Sequence, residues 1–445
     1  MMKRNFGIVL VLVAAAILPG CLGSGGSSAP APTNVNVRAQ DGRATISWTM
    51  EPGVTYWLYR AAGTGVTPSN CSSMYLCYTA INVTSPYTEA LYNGIEYSFT
   101  LNGRRDGGPG GPGSPAVQAT PRLAGATWNS YARAGDTPLP AGVDFRGVAY
   151  GAINAKYVAV GTGGALYSGT AYTAVDATTG VQTGIAWSPL TNPLSTDLNA
   201  VNYDAYRGKF LSVGAGGKII AMTPASSTTW TEQTSNTTSA LNAIATNSAG
   251  FTVVAGMNGT IIHSSDGGAN WLATTSITPA TTAGLNGVAY GYSPTLASNI
   301  FVAVGASGTL LYSVDGDVWT NVTSASLTTS ELKSVTYGGL DSTTGYGVFV
   351  AVGQNGTVLT SPDGITWTAR TSLTAATLNA VTYFYGRRFV AVASDGSIYY
   401  SEYGNAGSTW AAAVAPAGTV LNAVSTGGLY DFSAVGAGGA NLYAD

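Results

Sequence analysis

The sequence predicts an all-β chain: a small β-sandwich followed by a seven-bladed β-propeller closed by an N-terminal strand. Three observations carry that prediction. One phrase recurs seven times along the larger part of the chain. Short alternating strands separated by turn residues fill the stretch before it. Tryptophan closes six of the repeats, and one further tryptophan stands ahead of the first.

The chain opens with an export signal. Lys3 and Arg4 give a positive start, Phe6 to Leu18 an apolar run, and Leu18-Pro19-Gly20-Cys21 a processing site. The run is too short to span a bilayer comfortably, so residues 1–20 read as a signal peptide rather than a transmembrane helix. The closing tetrapeptide resembles a bacterial lipobox, which implies cleavage before Cys21 and acylation of its thiol. The plainer alternative is a secretory signal with an incidental cysteine. Leu22 and Gly23 follow, with no Asp at the second mature position. In the lipoprotein sorting pattern of Gram-negative bacteria that absence implies the outer membrane, periplasmic or surface facing. Two or three acyl chains anchor stably where one does not. Residues 21–31, rich in Gly and Ser, then read as a flexible tether.

Residues 32–121 carry the pattern of a sandwich. Ala44-Thr45-Ile46-Ser47-Trp48 alternates, Tyr56-Trp57-Leu58-Tyr59 and Tyr97-Ser98-Phe99-Thr100-Leu101 are further strands, and turn residues separate them. These residues resemble fibronectin type III: Trp48 matches the buried tryptophan of its second strand. Leu91, Asn93-Gly94 and Tyr97 match its tyrosine corner, and Ser114 to Pro121 its last strand. With Cys21 acylated, Cys71 and Cys77 are the remaining pair, which an oxidising compartment joins. So short a loop adds roughly 2–3 kcal/mol, enough to pin one loop.

Residues 122–445 repeat themselves. The phrase Leu-Asn-Ala-Val, then Phe-Val-Ala-Val-Gly, then Gly-Thr-x-x-x-Ser, then Trp begins at Phe145, Leu198, Leu241, Leu285, Leu332, Leu378 and Leu421. The steps of 53, 43, 44, 47, 46 and 43 residues are a propeller-blade period. Each unit holds three apolar strands and a fourth with tryptophan. The seventh stops at Asn441-Leu442-Tyr443, and the Trp128 strand supplies what it lacks. Closure of that kind hides an edge open to aggregation.

Between third and fourth strands, Ser264, Asp266, Gly268 and Trp271 fit the Asp-box Ser-x-Asp-x-Gly-x-x-Trp. Ser313, Asp315 and Trp319, and Ser361, Asp363 and Trp367, are versions one residue shorter. The Ser and Asp oxygens accept backbone N–H bonds, Gly supplies positive φ and Trp packs back, so the box reads as a folding device rather than a catalytic or calcium site. Blade one carries an insertion from Ala171 to Gly184 in its place. This part of the chain resembles the Asp-box propellers, which include sialidases and the photosystem II assembly factors of cyanobacteria and chloroplasts. The resemblance implies a fold, and one fold hosts many activities.

Chemistry is scarce. Charged residues are 9% of the chain, and no basic patch exists for nucleic acid. A sialidase signature of Phe/Tyr-Arg-Ile-Pro is broken at Phe145-Arg146-Gly147-Val148, and the repeat region holds three glutamates, Glu232, Glu331 and Glu402. His263 is the one histidine, too little for a His-based zinc site or a serine triad, and reads as a surface strand residue. No cofactor, metal or catalytic residue is expected.

One recurrent position stands out. The second residue of each phrase is Arg146, Asn199, Asn242, Asn286, Lys333, Asn379 or Asn422. In a propeller these ring the mouth of the axial channel. Either each Asn bonds to a turn or to the neighbouring blade, or the seven form a polar rim for a peptide or glycan with Arg146 and Lys333 as its charges. The expectation is a non-enzymatic envelope scaffold that binds protein. A glycan-binding or glycan-cleaving surface lipoprotein is the alternative.

Overall fold

The computed structural model describes residues 26–40, 42–121, 125–130, 137–153, 155–176, 180–222, 228–339, 345–384, 388–401, 409–416, 418–427 and 431–444, without the side chains of 172–183. The expected signal peptide and Cys21 lie outside the described residues. Strands dominate, the only helices among the described residues are single 3-10 turns, and none is long and apolar enough to cross a membrane.

The chain divides into two compact units. The first comprises residues 1–35, 46–87 and 96–119, the second residues 36–45, 88–95 and 120–445. In the first, a four-stranded sheet runs in the order Tyr78–Val83, Val54–Ala62, Tyr97–Arg105, Val117–Ala119. Tyr56, Leu58, Phe99 and Leu101 are buried in it, and Trp48 meets Tyr56 edge-on at 5.6 Å. Cys71 and Cys77 form a disulfide with Cα atoms 5.4 Å apart, which fixes the loop over Tyr59, Ala61 and Val66. Part of the stretch expected to be a free tether is held: Ala29 donates to the Gly103 carbonyl, and Arg105 donates to that of Ser27. Ala29 is buried, and an apolar methyl with a satisfied amide is a sufficient reason for the segment to dock.

The second unit includes most of a three-stranded sheet of Asn36–Gln40, Arg43–Ser47 and Tyr87–Ala90. After it the repeats become successive antiparallel sheets. Their first strands are Phe145–Gly151, Leu198–Asp204, Leu241–Thr246, Leu285–Ser293, Leu332–Gly338, Leu378–Phe384 and Leu421–Thr426. Each first strand packs against the next, and Leu421–Thr426 against Phe145–Gly151, so the row bends into a ring. Second strands such as Val348–Gly353 are buried at every position, because sheets cover both of their faces. The core therefore lies between sheets: Val253, Ala255 and Ile261 pack with Leu285, Phe301 and Trp319 of the following sheet.

The last sheet has three strands, ending in Asn441–Ala444. Asn129 and Tyr443 exchange both backbone hydrogen bonds at 2.9 Å, which adds the segment carrying Trp128 to that sheet. Trp128 is 2% exposed among Val390, Val392, Phe432 and Leu442, and its Nε1 donates to the Gly125 carbonyl at 2.8 Å.

Some details depart from expectation. Trp271 and Trp367 stand one residue before the fourth strands Leu272–Ala273 and Thr368–Ala369 rather than within them. The fourth sheet gains a fifth strand, Ser276–Thr278, parallel to Val318–Asn321. The insertion in the first repeat is a continuation of its third and fourth strands, paired from Tyr167 with Pro189 out to Asp176 with Gly180. His263 is not a surface residue. It is 9% exposed and stacked on Phe251 at 5.4 Å, because the strand Ile261–Ser264 is buried on both faces.

Candidate functional site

The site is built on one irregularity that recurs in every repeat. The first residue of each phrase, Leu or Phe, is fully buried. Register then slips by one, between Phe145 and Gly147, Leu198 and Ala200, Leu241 and Ala243, and likewise in the other four sheets. A bulge of this kind leaves its extra residue out of the ladder and redirects its side chain. That extra residue is Arg146, Asn199, Asn242, Asn286, Lys333, Asn379 or Asn422.

Five of the side chains donate to a backbone carbonyl of the neighbouring sheet. The Nδ2 of Asn199 donates to the Leu241 carbonyl at 2.9 Å, that of Asn242 to Leu285 at 3.0 Å and that of Asn286 to Leu332 at 2.9 Å. Asn379 donates to Leu421 at 2.8 Å, and Asn422 to Phe145 at 2.9 Å, across the join of the ring. Lys333 makes no such bond, and there the Ser334 hydroxyl accepts from the Val381 amide at 3.2 Å. Arg146 donates instead to the Asn199 Oδ1 at 2.8 Å. An amide is suited to this position because it satisfies a buried-edge carbonyl while keeping an acceptor of its own.

All seven residues line one cavity of about 480 Å³, walled by the two residues that follow each of them. The expected rim charges are not alone there. Arg146 pairs with Asp197 at 3.0 Å and Lys333 with Glu331 at 2.9 Å. Glu331 also accepts from Asn286 at 2.9 Å and Gln354 at 3.0 Å. Asp144 lines the cavity too and accepts the Gly438 amide at 3.1 Å, as Asp197 accepts that of Gly163 at 2.9 Å. The signal for these three carboxylates is in the sequence: Asp144, Asp197 and Glu331 each stand one place before an opening phrase.

The Asp-boxes lie away from this cavity. Asp266 Oδ1 accepts the Ser264 hydroxyl at 2.8 Å and the Asn270 amide at 3.0 Å, and Ser264 accepts the Gly268 amide at 2.8 Å. The Asn270 backbone bond holds the Asp266 carboxyl down at about 2. Asp315 accepts the Asp317 and Val318 amides, both at 2.9 Å, and Asp363 those of Ile365 at 2.9 Å and Thr366 at 2.8 Å. Burial pushes both carboxyls up, and these amides outweigh it, so both sit below the ordinary aspartate value. Trp319 and Trp367 donate back to Gly316 and Gly364 at 3.0 and 3.2 Å. The Oδ1 of each box aspartate thus has its partners within its own turn, and the Oδ2 of Asp363 accepts the Thr295 hydroxyl at 2.8 Å. Among the described residues no group of three His, Cys, Asp or Glu side chains is placed to hold a metal ion.

Sequence reasoning missed a second recurrent feature, at the far end of the first strands. Tyr150, Tyr203, Tyr290, Tyr337 and Tyr383 each tilt against an aromatic of the second strand, with ring centroids 4.7–5.0 Å apart. The signal was the sixth place of the phrase, which holds tyrosine in five repeats.

No protein-family model matches the chain, and no curated protein does. Solved structures do match. YCF48 from Cyanidioschyzon merolae is similar with a TM-score of 0.51 and 17% identity, over 72% of this chain and 98% of that one. YCF48 bound to a D1 peptide is similar at 0.51 and 16% identity, over 71% and 96%. The WD40 β-propeller domain of Doa1 is similar at 0.53 and 12% identity, over 73% and 96%. At these identities the likeness is one of fold, and the larger part of this all-β chain is a β-propeller.

Proposed function

We propose that the chain is an outer-membrane lipoprotein whose propeller, seven-bladed and closed by the Trp128 strand, binds a protein segment and serves as a non-enzymatic assembly scaffold in the cell envelope. The observation that carries this reading is the convergence of all seven second-place residues on one cavity. A mouth of side-chain amides and paired charges offers hydrogen-bonding groups that the main chain of a polypeptide can meet. A propeller similar in fold has been solved with a peptide bound, which supports the same use here. Catalysis has less to recommend it, since the Asp-box carboxylates are engaged in their own turns and the cavity carboxylates in ion pairs or turn amides.

The first part of the chain reads as a fibronectin III-like module. Its strand inventory, buried Trp48 and buried Tyr97 support that assignment. The Cys71–Cys77 disulfide agrees with an exported chain.

The test is capture from detergent-solubilised envelopes by the full chain and by the R146A/K333A double variant, with folding checked by thermal melting. A defined partner that the parent retains and the folded double variant loses supports the proposal. Equal capture by both, or a hit confined to a parallel glycan array, overturns it. A Cys21→Ser chain that still floats with membranes overturns the lipid anchor.

A further inference from the structure

The charges of the cavity restrict what it can take, and this inference rests on the peptide-binding reading given above. Two cations face the mouth, and each already has its carboxylate: Arg146 lies 3.0 Å from Asp197, and Lys333 lies 2.9 Å from Glu331. An anionic ligand would have to break one of these pairs to find a positive charge. Asp144 differs. It is exposed, it lines the cavity, and the one bond its carboxylate makes among the described residues is from the Gly438 amide at 3.1 Å, with no cation among those residues within ion-pair distance. Beside it, Asn422 uses its Nδ2 on the Phe145 carbonyl, the residue next to Asp144, and its Oδ1 accepts nothing among the described residues. One sector of the mouth is therefore an unneutralised carboxylate flanked by a spare amide oxygen.

We infer that the mouth selects a polypeptide segment carrying an ammonium or guanidinium group, seated against Asp144 with Asn422 as second acceptor. A cation there makes charge-assisted hydrogen bonds and brings the three carboxylates and two cations of the mouth to neutrality. Arg146 and Lys333 do not clamp the ligand themselves; they hold Asp197 and Glu331 to the rim, so removing both together disturbs the seat and lowers binding.

The test uses an array of random twelve-residue synthetic peptides, probed with the full chain and with the variants Asp144→Asn and Asp197→Asn. Asparagine at either place still accepts the Gly438 or Gly163 amide, so the turns keep their bonds, and thermal melting confirms the fold. The parent is expected to retain peptides enriched in Lys and Arg. Asp144→Asn is expected to weaken the strongest of these about two- to fivefold and to reduce their salt sensitivity. Asp197→Asn, which frees Arg146, is expected to shift the retained set toward acidic peptides. Peptide binding without cationic enrichment, or identical affinities for parent and Asp144→Asn, overturns this inference while leaving the peptide-binding reading intact. Failure of the parent to retain any peptide overturns both.

Discussion

Removing the indole of Trp128 tests whether the N-terminal strand closes the ring. Trp128 is 2% exposed, packs on Phe432 at 5.9 Å between centroids and donates from Nε1 to the Gly125 carbonyl. Trp128→Ala deletes that packing and leaves a cavity among Val390, Val392, Phe432 and Leu442. Substitutions of this kind cost about 3–5 kcal/mol. The unfolding entropy of roughly 2 cal/mol/K per residue, over a unit of roughly 340 residues, turns about 4 kcal/mol into a fall in Tm of about 6 °C. Differential scanning calorimetry of parent and variant reads it directly. Asn129→Pro is the companion: it removes the amide that donates to Tyr443 and touches no core side chain, so its fall should be smaller. A Trp128→Ala chain that melts within about 1 °C of the parent would refute the reasoning, because a strand that closes the ring cannot lose its anchor without cost.

Two further outcomes follow from the repeats. Asp266 has its carboxyl depressed to about 2 by the Asn270 backbone bond, below its unfolded value, so its contribution is present above about pH 4 and lost as pH falls toward 2. The Tm gap between parent and Asp266→Ala should therefore narrow across that window, and a gap that stays constant sinks the assignment. Gly305 is extended, with φ of −170°, and a Cβ there would stand 2.1 Å from the Gly284 carbonyl oxygen. Gly305→Ala should destabilise by about 1–3 kcal/mol through that close approach, measured by urea unfolding, and a neutral result would mean the end of the second strand lies less tightly against the start of the first than described.

Features that repeat were legible in the sequence, and features that depend on a partner were not. The Leu at the start of each phrase and the valines of the second strands announce the buried face through composition alone. The strand carrying Trp128 could be assigned because the seventh repeat lacks one. The bulge after each opening residue leaves no mark in hydrophobic pattern, since a one-residue slip changes direction without changing residue type. Asp144, Asp197 and Glu331 were visible as letters. Their meaning needed the ring, which brings each beside a residue that the pattern had already singled out. His263 was misplaced because alternation is the wrong guide for a strand covered on both sides, where Ile261, Ile262 and His263 are buried in succession.

The pairing of Asn129 with Tyr443 has a consequence for how the molecule is made. Every other sheet of the ring can form from its own consecutive stretch of chain, whereas this one joins residues roughly 300 apart. Bringing such distant segments together costs about 1.7 kcal/mol more entropy than closing a loop of roughly 45 residues. The last sheet is therefore the slow, late event, and a chain emerging N-terminus first must keep the Trp128 segment unpaired until its partners Val414 and then Tyr443 arrive. During that interval the molecule is an open arc with a bare edge at each end, dependent on whatever guards unfinished chains from one another.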